Sequence, residues 1–196
     1  LFTGYYDHFI LHLHEMRNRP DYGKYLADWT DHVSGFVRNP YLRNPTLYSD
    51  NPDERRHIYL DSEEFASYLH ADFREEFTEE HYCSSLLRNR MMNEVFREVT
   101  RVILHEDDLN SMLYSLENRS PFLDSKLFEF AYTIPNELLI QHGYGKYLLR
   151  EAMSGILNDT VRLDRQKKGF NASIQTVFDL ESREVREALL SDGPIY

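Results

Sequence analysis

The densest run of cations in the chain is Arg162-Leu163-Asp164-Arg165-Gln166-Lys167-Lys168-Gly169-Phe170. Residues 162–168 hold four cations and one anion, a local +3 inside a chain whose formal charge is −11. Lysine is a compact point charge suited to phosphate, and arginine adds a planar fork. Gly169 permits a turn or a close approach of backbone to ligand. The chemistry on offer is a phosphate or pyrophosphate clamp. From charge alone a solvated loop is the plainer reading.

A second constellation is Asp107-Asp108-Leu109-Asn110-Ser111-Met112, continuing through Leu116-Glu117-Asn118-Arg119-Ser120-Pro121-Phe122-Leu123-Asp124. Glu117 and Arg119 are too close in sequence to share a helix face, so a turn must part them. Pro121 biases Ser120 toward extended backbone. If these charges are buried they must be paired, as supports or as walls of a site; residue types alone leave both open. Gly143-Tyr144-Gly145-Lys146 fails the spacing of a phosphate-binding loop, and no strand is expected before it. It reads as a helix start, where Lys146 opposes the dipole and so calls for a partner. His8 and His12 lie four apart, but no zinc pattern surrounds them, and both are expected on a solvated face. No metal ligands are assigned. Cys83 has no neighbouring base and no other cysteine to pair with.

These residues need helices to carry them. Phe2, Tyr5, Tyr6, Phe9, Ile10 and Leu13 form one face of a helix that opens at the first residue and closes before Pro20. A helix starting there implies a segment upstream. Tyr22, Tyr25, Leu26, Trp29, Val33, Phe36 and Val37 predict a second. Prolines 40, 45 and 52 predict a loop over 39–53. Asp61 and Glu64 have capping-box spacing before a helix carrying Phe65, Leu69 and Phe73. Thr78 is expected to cap the longest helix, about 79–104. Asp124 caps a helix that Pro135 ends. Lys146–Leu157 is helical by pattern, residues 162–171 are a polar loop, and helices near 173–179 and 182–190 follow. No period-two alternation persists and no repeat is present. The fold class is mainly α, one domain over residues 1–196.

With 41% apolar and 14% aromatic residues the chain is not disordered. A chain this long can bury about 70% of its unfolded surface. No run approaches the roughly 20 apolar residues of a membrane span. The acidic balance argues against general nucleic-acid binding. One cysteine fits a reducing compartment.

Residues 104–124, L-H-E-D-D-L-N-S-M-L-Y-S-L-E-N-R-S-P-F-L-D, resemble the synthetase signature of the asparagine synthetase family, D-x-x-S-M-x-x-S-x-E-x-R-x-P-F-L-D. The family's later motifs follow in order: Ile134-Pro135, then G-x-x-K-x-x-L-R at Gly143 to Arg150, then R-x-K-x-G-F at Arg165 to Phe170. Leu1-Phe2-Thr3-Gly4-Tyr5 looks like the tail of G-x-D-E-L-F-x-G-Y. The resemblance implies the helical C-terminal half of an α/β, adenine-nucleotide α-hydrolase-like (ATP pyrophosphatase) synthetase domain, without its sheet-bearing half. It implies a carboxylate, aspartate in the namesake, activated by ATP and Mg²⁺ and attacked by ammonia drawn from glutamine, with AMP and pyrophosphate released. Lys167 would contact the phosphates, with Arg165, Lys168 and Lys146 beside it. Asp108, Glu117 and Arg119 would line or brace the acceptor side, and Lys167, Glu117 and Asp108 are the catalytic candidates.

The nucleotide loop S-G-G-x-D-S, the acidic segment before Leu1 and the glutaminase domain do not occur in the chain. The expected partners are therefore the other half of the synthetase domain and a glutaminase domain. The expected compartment is the cytoplasm, and a fragment of this kind is expected not to adenylate alone. Residues 20–100 carry little signature, and 39–59 reads as an insertion near the acceptor pocket. Two alternatives stand beside this reading. One is a relative with a different acceptor, β-lactam-forming or sugar-acid amidating. The other is a non-catalytic helical interaction module, favoured by the aromatic first 40 residues.

Overall fold

The computed structural model describes residues 4–55, 67–70, 78–166 and 178–191. The described chain is mostly helical, with a single two-stranded pairing among the described residues. At its centre is α1, Tyr6–Met16. Of its expected stripe Phe9, Ile10 and Leu13 are buried, joined by Met16, whereas Tyr6 is half-buried and Tyr5 is exposed. The opposite face is buried as well, because α2 (Tyr22–His32), α3 (Leu47–Asp50), α4 (Leu86–Phe96) and a 3-10 turn at Asn136–Leu138 all pack on α1. His8 and His12 are therefore 2% exposed rather than solvated. A helix surrounded by others must find partners for polar groups on every side. His12 pairs its Nε2 with the Asn136 carbonyl at 3.1 Å and meets Tyr25 edge-on at 5.3 Å. Leu1 and Phe2 lie outside the described residues.

Tyr25, Trp29, Val33 and Val37 of the expected face supply the α2 side of the core, with Tyr22 and Leu26 partly buried against it and Phe36 exposed. The proline-punctuated tract is not featureless. It holds a 3-10 turn at Tyr41–Arg43 and α3, which bury Leu42, Leu47 and Tyr48. The capping pair Asp61 and Glu64, with Phe65 and Phe73, falls outside the described residues.

The long helix expected from Thr78 is corrected in two ways. Its start is Ser85, whose hydroxyl accepts from the Arg88 amide at 3.2 Å, and residues 78–84 are not helical. The cause lies on α4. Asn93 has no exposed surface, and its side chain donates to the Glu80 and Asn89 carbonyls while accepting from the Glu80 amide, each at 2.9 Å. Asn89 accepts from the Tyr82 amide at 2.8 Å. Two amide side chains thus satisfy the backbone of 80–82 as a neighbouring strand would, which removes its need to be helical. The helix then breaks at Glu98 (φ −120°, ψ −120°), whose carboxylate turns to Arg90 and Arg55, and α5 runs Val99–Met112.

Asp124 caps α6 (Ser125–Thr133) as expected, accepting from the Lys126 and Leu127 amides at 3.0 Å. Arg88 closes the other end, donating to Ala131 O at 3.2 Å, to Ile134 O and to Asn136 Oδ1 at 2.8 Å. A hairpin that the sequence did not announce follows: β1 (Ile140–Gln141) pairs antiparallel with β2 (Tyr144–Gly145). Its turn uses left-handed backbone at His142 and Gly143. Helix α7 (Tyr147–Ala152) is shorter than the pattern to Leu157, ending in turns that include Gly155 at φ 74°. Helix α8 (Asp159–Arg162) begins the expected loop. Residues 167–196 form a separate unit, in which Ser182 caps α9 (Arg183–Leu190).

Candidate functional site

The hairpin is where the later motifs meet. Lys146 follows β2 in left-handed backbone (φ 58°) and heads α7. Its aliphatic stem lies against Gly4, where a Cβ would come 3.2 Å from Lys146 Cε and 3.7 Å from Nζ. Glycine at that position leaves room for the lysine.

Arg165, from the polar loop, donates Nε–H to the His142 carbonyl at 3.2 Å and lies 4.0 Å from the Tyr144 ring centroid. Arg150 lies 5.5 Å from the same ring. Its Nε–H donates to Gly145 O at 2.9 Å, and its Nη1 reaches Val161 O at 3.5 Å and Arg162 O. Arg162 pairs with Asp159 at 2.7 Å and Glu151 at 3.8 Å. Three guanidiniums thus gather at one end of the hairpin. Burial pushes Arg150 below the usual arginine value, and Arg162 and Arg165 push the same way against Tyr144 and Asp164. A half-buried group of cations held mainly by carbonyls and a ring retains attraction for an anion.

The signature residues are arranged differently. Asp108 is exposed on α5, and Glu117 and Arg119 form an exposed ion pair at 2.9 Å in the irregular stretch after α5. They are not buried supports. The turn lies before the pair rather than between them: Ser115 is in left-handed backbone, and residues 116–120 are irregular. An exposed pair of this kind contributes at most about 1 kcal/mol. No residue of α5 is buried, and Val102, Leu109, Met112, Leu113 and Leu116 are all more than half exposed. Lys167 and Lys168 lie outside the described residues.

A buried ionic network under α1 had no signal in the sequence beyond scattered charge. Arg90 Nη1 meets Glu98 at 3.1 Å and Glu79, and its Nε lies 3.6 Å from Asp7 and 3.7 Å from Glu94. Arg55 adds Glu79 at 2.6 Å and Glu98 at 3.3 Å. His8 Nε2 meets Glu94 at 3.0 Å, while Nδ1 accepts from the Gly4 amide at 3.1 Å. Burial pulls the His8 imidazole down, but Glu94 and Asp7 outweigh it and hold its pKa above the ordinary value. Asp7, His8 and Glu94 offer three ligand atoms within 4.8 Å of one another. Arg90 already supplies the cation there, so the group is an ion-pair cluster rather than a fit for a metal. Beside it opens a cavity of about 490 Å³ lined by Tyr48, Glu54, Arg55, Glu79, Asn89 and Arg90, among others.

A family model described as asparagine synthase matches residues 1–195. The chain belongs to the asparagine synthase family. Asparagine synthetase [glutamine-hydrolyzing] 1 of Bacillus subtilis (strain 168) is 47% identical over 73 residues, covering 37% of this chain and 11% of that protein. Asparagine synthetase [glutamine-hydrolyzing] 3 of the same strain is 40% identical over 68 residues, 35% of this chain and 11% of that protein. The matched stretch is therefore about a tenth of either relative's length. No solved structure matches the chain. Within this family Arg150 belongs to the G-x-x-K-x-x-L-R run and Arg165 to R-x-K-x-G-F, and the structure joins the two through Tyr144. Arg150 and Tyr144 were not named as site residues from the sequence, although Arg150 ends the quoted Gly143 to Arg150 run and Tyr144 fills a variable position in it. No helix among the described residues is long and apolar enough to cross a membrane.

Proposed function

We propose that the chain is the helical part of an ATP-dependent amide-forming ligase that activates a carboxylate, aspartate first among candidates, and passes ammonia from glutamine to it, releasing AMP and pyrophosphate. The observation that carries this is the family match across residues 1–195, with the synthetase motifs in order along it. The arginine group at the hairpin fits the phosphate portion of ATP: Arg165 and Arg150 are fixed by carbonyls and a ring. ATP, bound with Mg²⁺, supplies the activation of the carboxylate. No described residue is assigned to Mg²⁺, and no step is drawn through it.

On this reading Lys167, Lys168, Arg165 and Lys146 face phosphate. Removing one oxyanion-hole donor costs about 3–4 kcal/mol of barrier in other enzymes, which is an upper bound for any one of these cations. Asp108, Glu117 and Arg119 serve the acceptor side. The uncovered apolar face of α5 is consistent with packing against a nucleotide-binding half and, beyond it, a glutaminase domain. Such an enzyme would work in the cytoplasm.

The test is pyrophosphate release by the intact ligase that contains this chain, given ATP-Mg²⁺ and a panel of carboxylic acids. Stimulation by aspartate, with asparagine formed when glutamine is present, is the expected result. Stimulation by another acid alone would move the acceptor, and none would refute the ligase reading. Lys167→Ala is expected to abolish turnover with folding retained. A fully active Lys167→Ala ligase would remove the phosphate role from this lysine.

A further inference from the structure

Tyr144 holds a position that none of the family motifs accounts for. Two guanidiniums lie near its ring, Arg165 at 4.0 Å and Arg150 at 5.5 Å. Each is anchored by hydrogen bonds to neutral carbonyls: Arg165 on His142 O, Arg150 on Gly145 O, Val161 O and Arg162 O. Arg162 differs, being tied to Asp159 and Glu151. An arginine fixed by a carboxylate has most of its charge answered locally. One fixed by carbonyls and an aromatic face has its geometry set while more of its charge stays available to an arriving anion, although Asp164 answers part of that of Arg150. The hairpin is also a stiff base. Gly143 in its turn is buried against His32, and the His142 amide donates to Asp28 at 2.9 Å.

We propose that Tyr144 and Arg150 are positioning residues for Arg165, holding this first cation of the R-x-K loop in register for the phosphate arm of a nucleotide. This rests on the ligase reading above. Arg150 contributes by bonding the β2 carbonyl and the α8 carbonyls at once, so the strand that bears Tyr144 and the segment that leads to Arg165 are fixed to each other.

The experiment is a double-mutant cycle in the intact ligase, with Tyr144→Leu, Arg165→Met and the pair, read as KM for ATP, KM for the carboxylic acid, kcat and thermal midpoint. Tyr144→Leu and Arg165→Met are each expected to raise KM for ATP about ten-fold with KM for the acid unmoved. The pair is expected to be no worse than Arg165→Met alone, because the tyrosine acts through the arginine. Tyr144→Phe keeps the ring and is expected to recover most of the ATP affinity. Multiplying effects in the double variant, or a Tyr144→Leu enzyme with ordinary KM for ATP, would overturn the proposal. If Tyr144→Leu does not fold, Arg150→Lys replaces it in the same cycle, since it keeps charge but loses the fork. A wild-type ligase that releases pyrophosphate while Arg165→Met changes nothing would end this proposal and leave the ligase reading intact. A wild-type enzyme with no pyrophosphate release would end both.

Discussion

Asn93 offers a prediction whose size follows directly from its contacts. Its side chain is fully buried and makes three hydrogen bonds of 2.9 Å, two to Glu80 backbone atoms and one to Asn89 O. Asn93→Ala removes all three. At about 1 kcal/mol net for each, the chain loses about 3 kcal/mol. For a chain of this size that lowers the thermal midpoint by roughly 6–12 °C. The effect also has a local address. The Glu80 amide loses its acceptor, whereas the Tyr82 amide keeps Asn89. Hydrogen exchange at Glu80 is expected to accelerate on the order of ten-fold more than at Tyr82, because two of the lost bonds are to the Glu80 backbone. Urea unfolding gives the first number and amide exchange the second. A loss below about 1 kcal/mol, or equal acceleration at Glu80 and Tyr82, would refute the view that Asn93 substitutes for a neighbouring strand.

Further outcomes follow from other sites. Burial holds the His12 pKa down at about 4 against an ordinary 6.5, so the folded chain stays unprotonated while the unfolded chain takes a proton. Stability from His12 is full above pH 6.5 and falls by about 3 kcal/mol as pH drops toward 4, and His12→Gln is expected to flatten that slope in urea midpoints. His8 has the opposite sign: its raised pKa gives stability present below 6.5 and lost as pH rises through the folded value. Gly143→Ala places a Cβ 2.5 Å from His32 Cβ at φ 72°, whereas Gly155→Ala at φ 74° meets nothing within 4 Å. The first is expected to cost at least about 2 kcal/mol more than the second in thermal unfolding. Glu117→Gln is expected to leave the chain's unfolding free energy within about 0.5 kcal/mol of its starting value, because its partner Arg119 is equally exposed, and to cut turnover of the intact ligase more than about ten-fold.

The motifs and the helix periodicity were legible in the chain because both are local. The cap at Asp124 and the stop at Pro135 need only neighbours in sequence. So does the core face of α1 and α2, which repeats every three to four residues. The basic island announced itself as charge density, and Arg165 proved to be set on the hairpin.

What tertiary structure decided was the fate of groups whose partners are distant. His8 and His12 share the polar side of a helical wheel, yet other helices close over that side and bury them. Thr78 has the chemistry of a cap, but Asn89 and Asn93 satisfy the backbone beside it and the helix starts at Ser85 instead. Tyr144 is an ordinary aromatic in sequence and becomes the ring between Arg150 and Arg165 only when the hairpin forms. The chain's own order thus fixed most of the helices and the family they belong to, but neither the hairpin nor the helix start at Ser85. Packing fixed which charges are buried, paired or left facing an anion, since a group's electrostatic surroundings depend on through-space neighbours that local sequence does not encode.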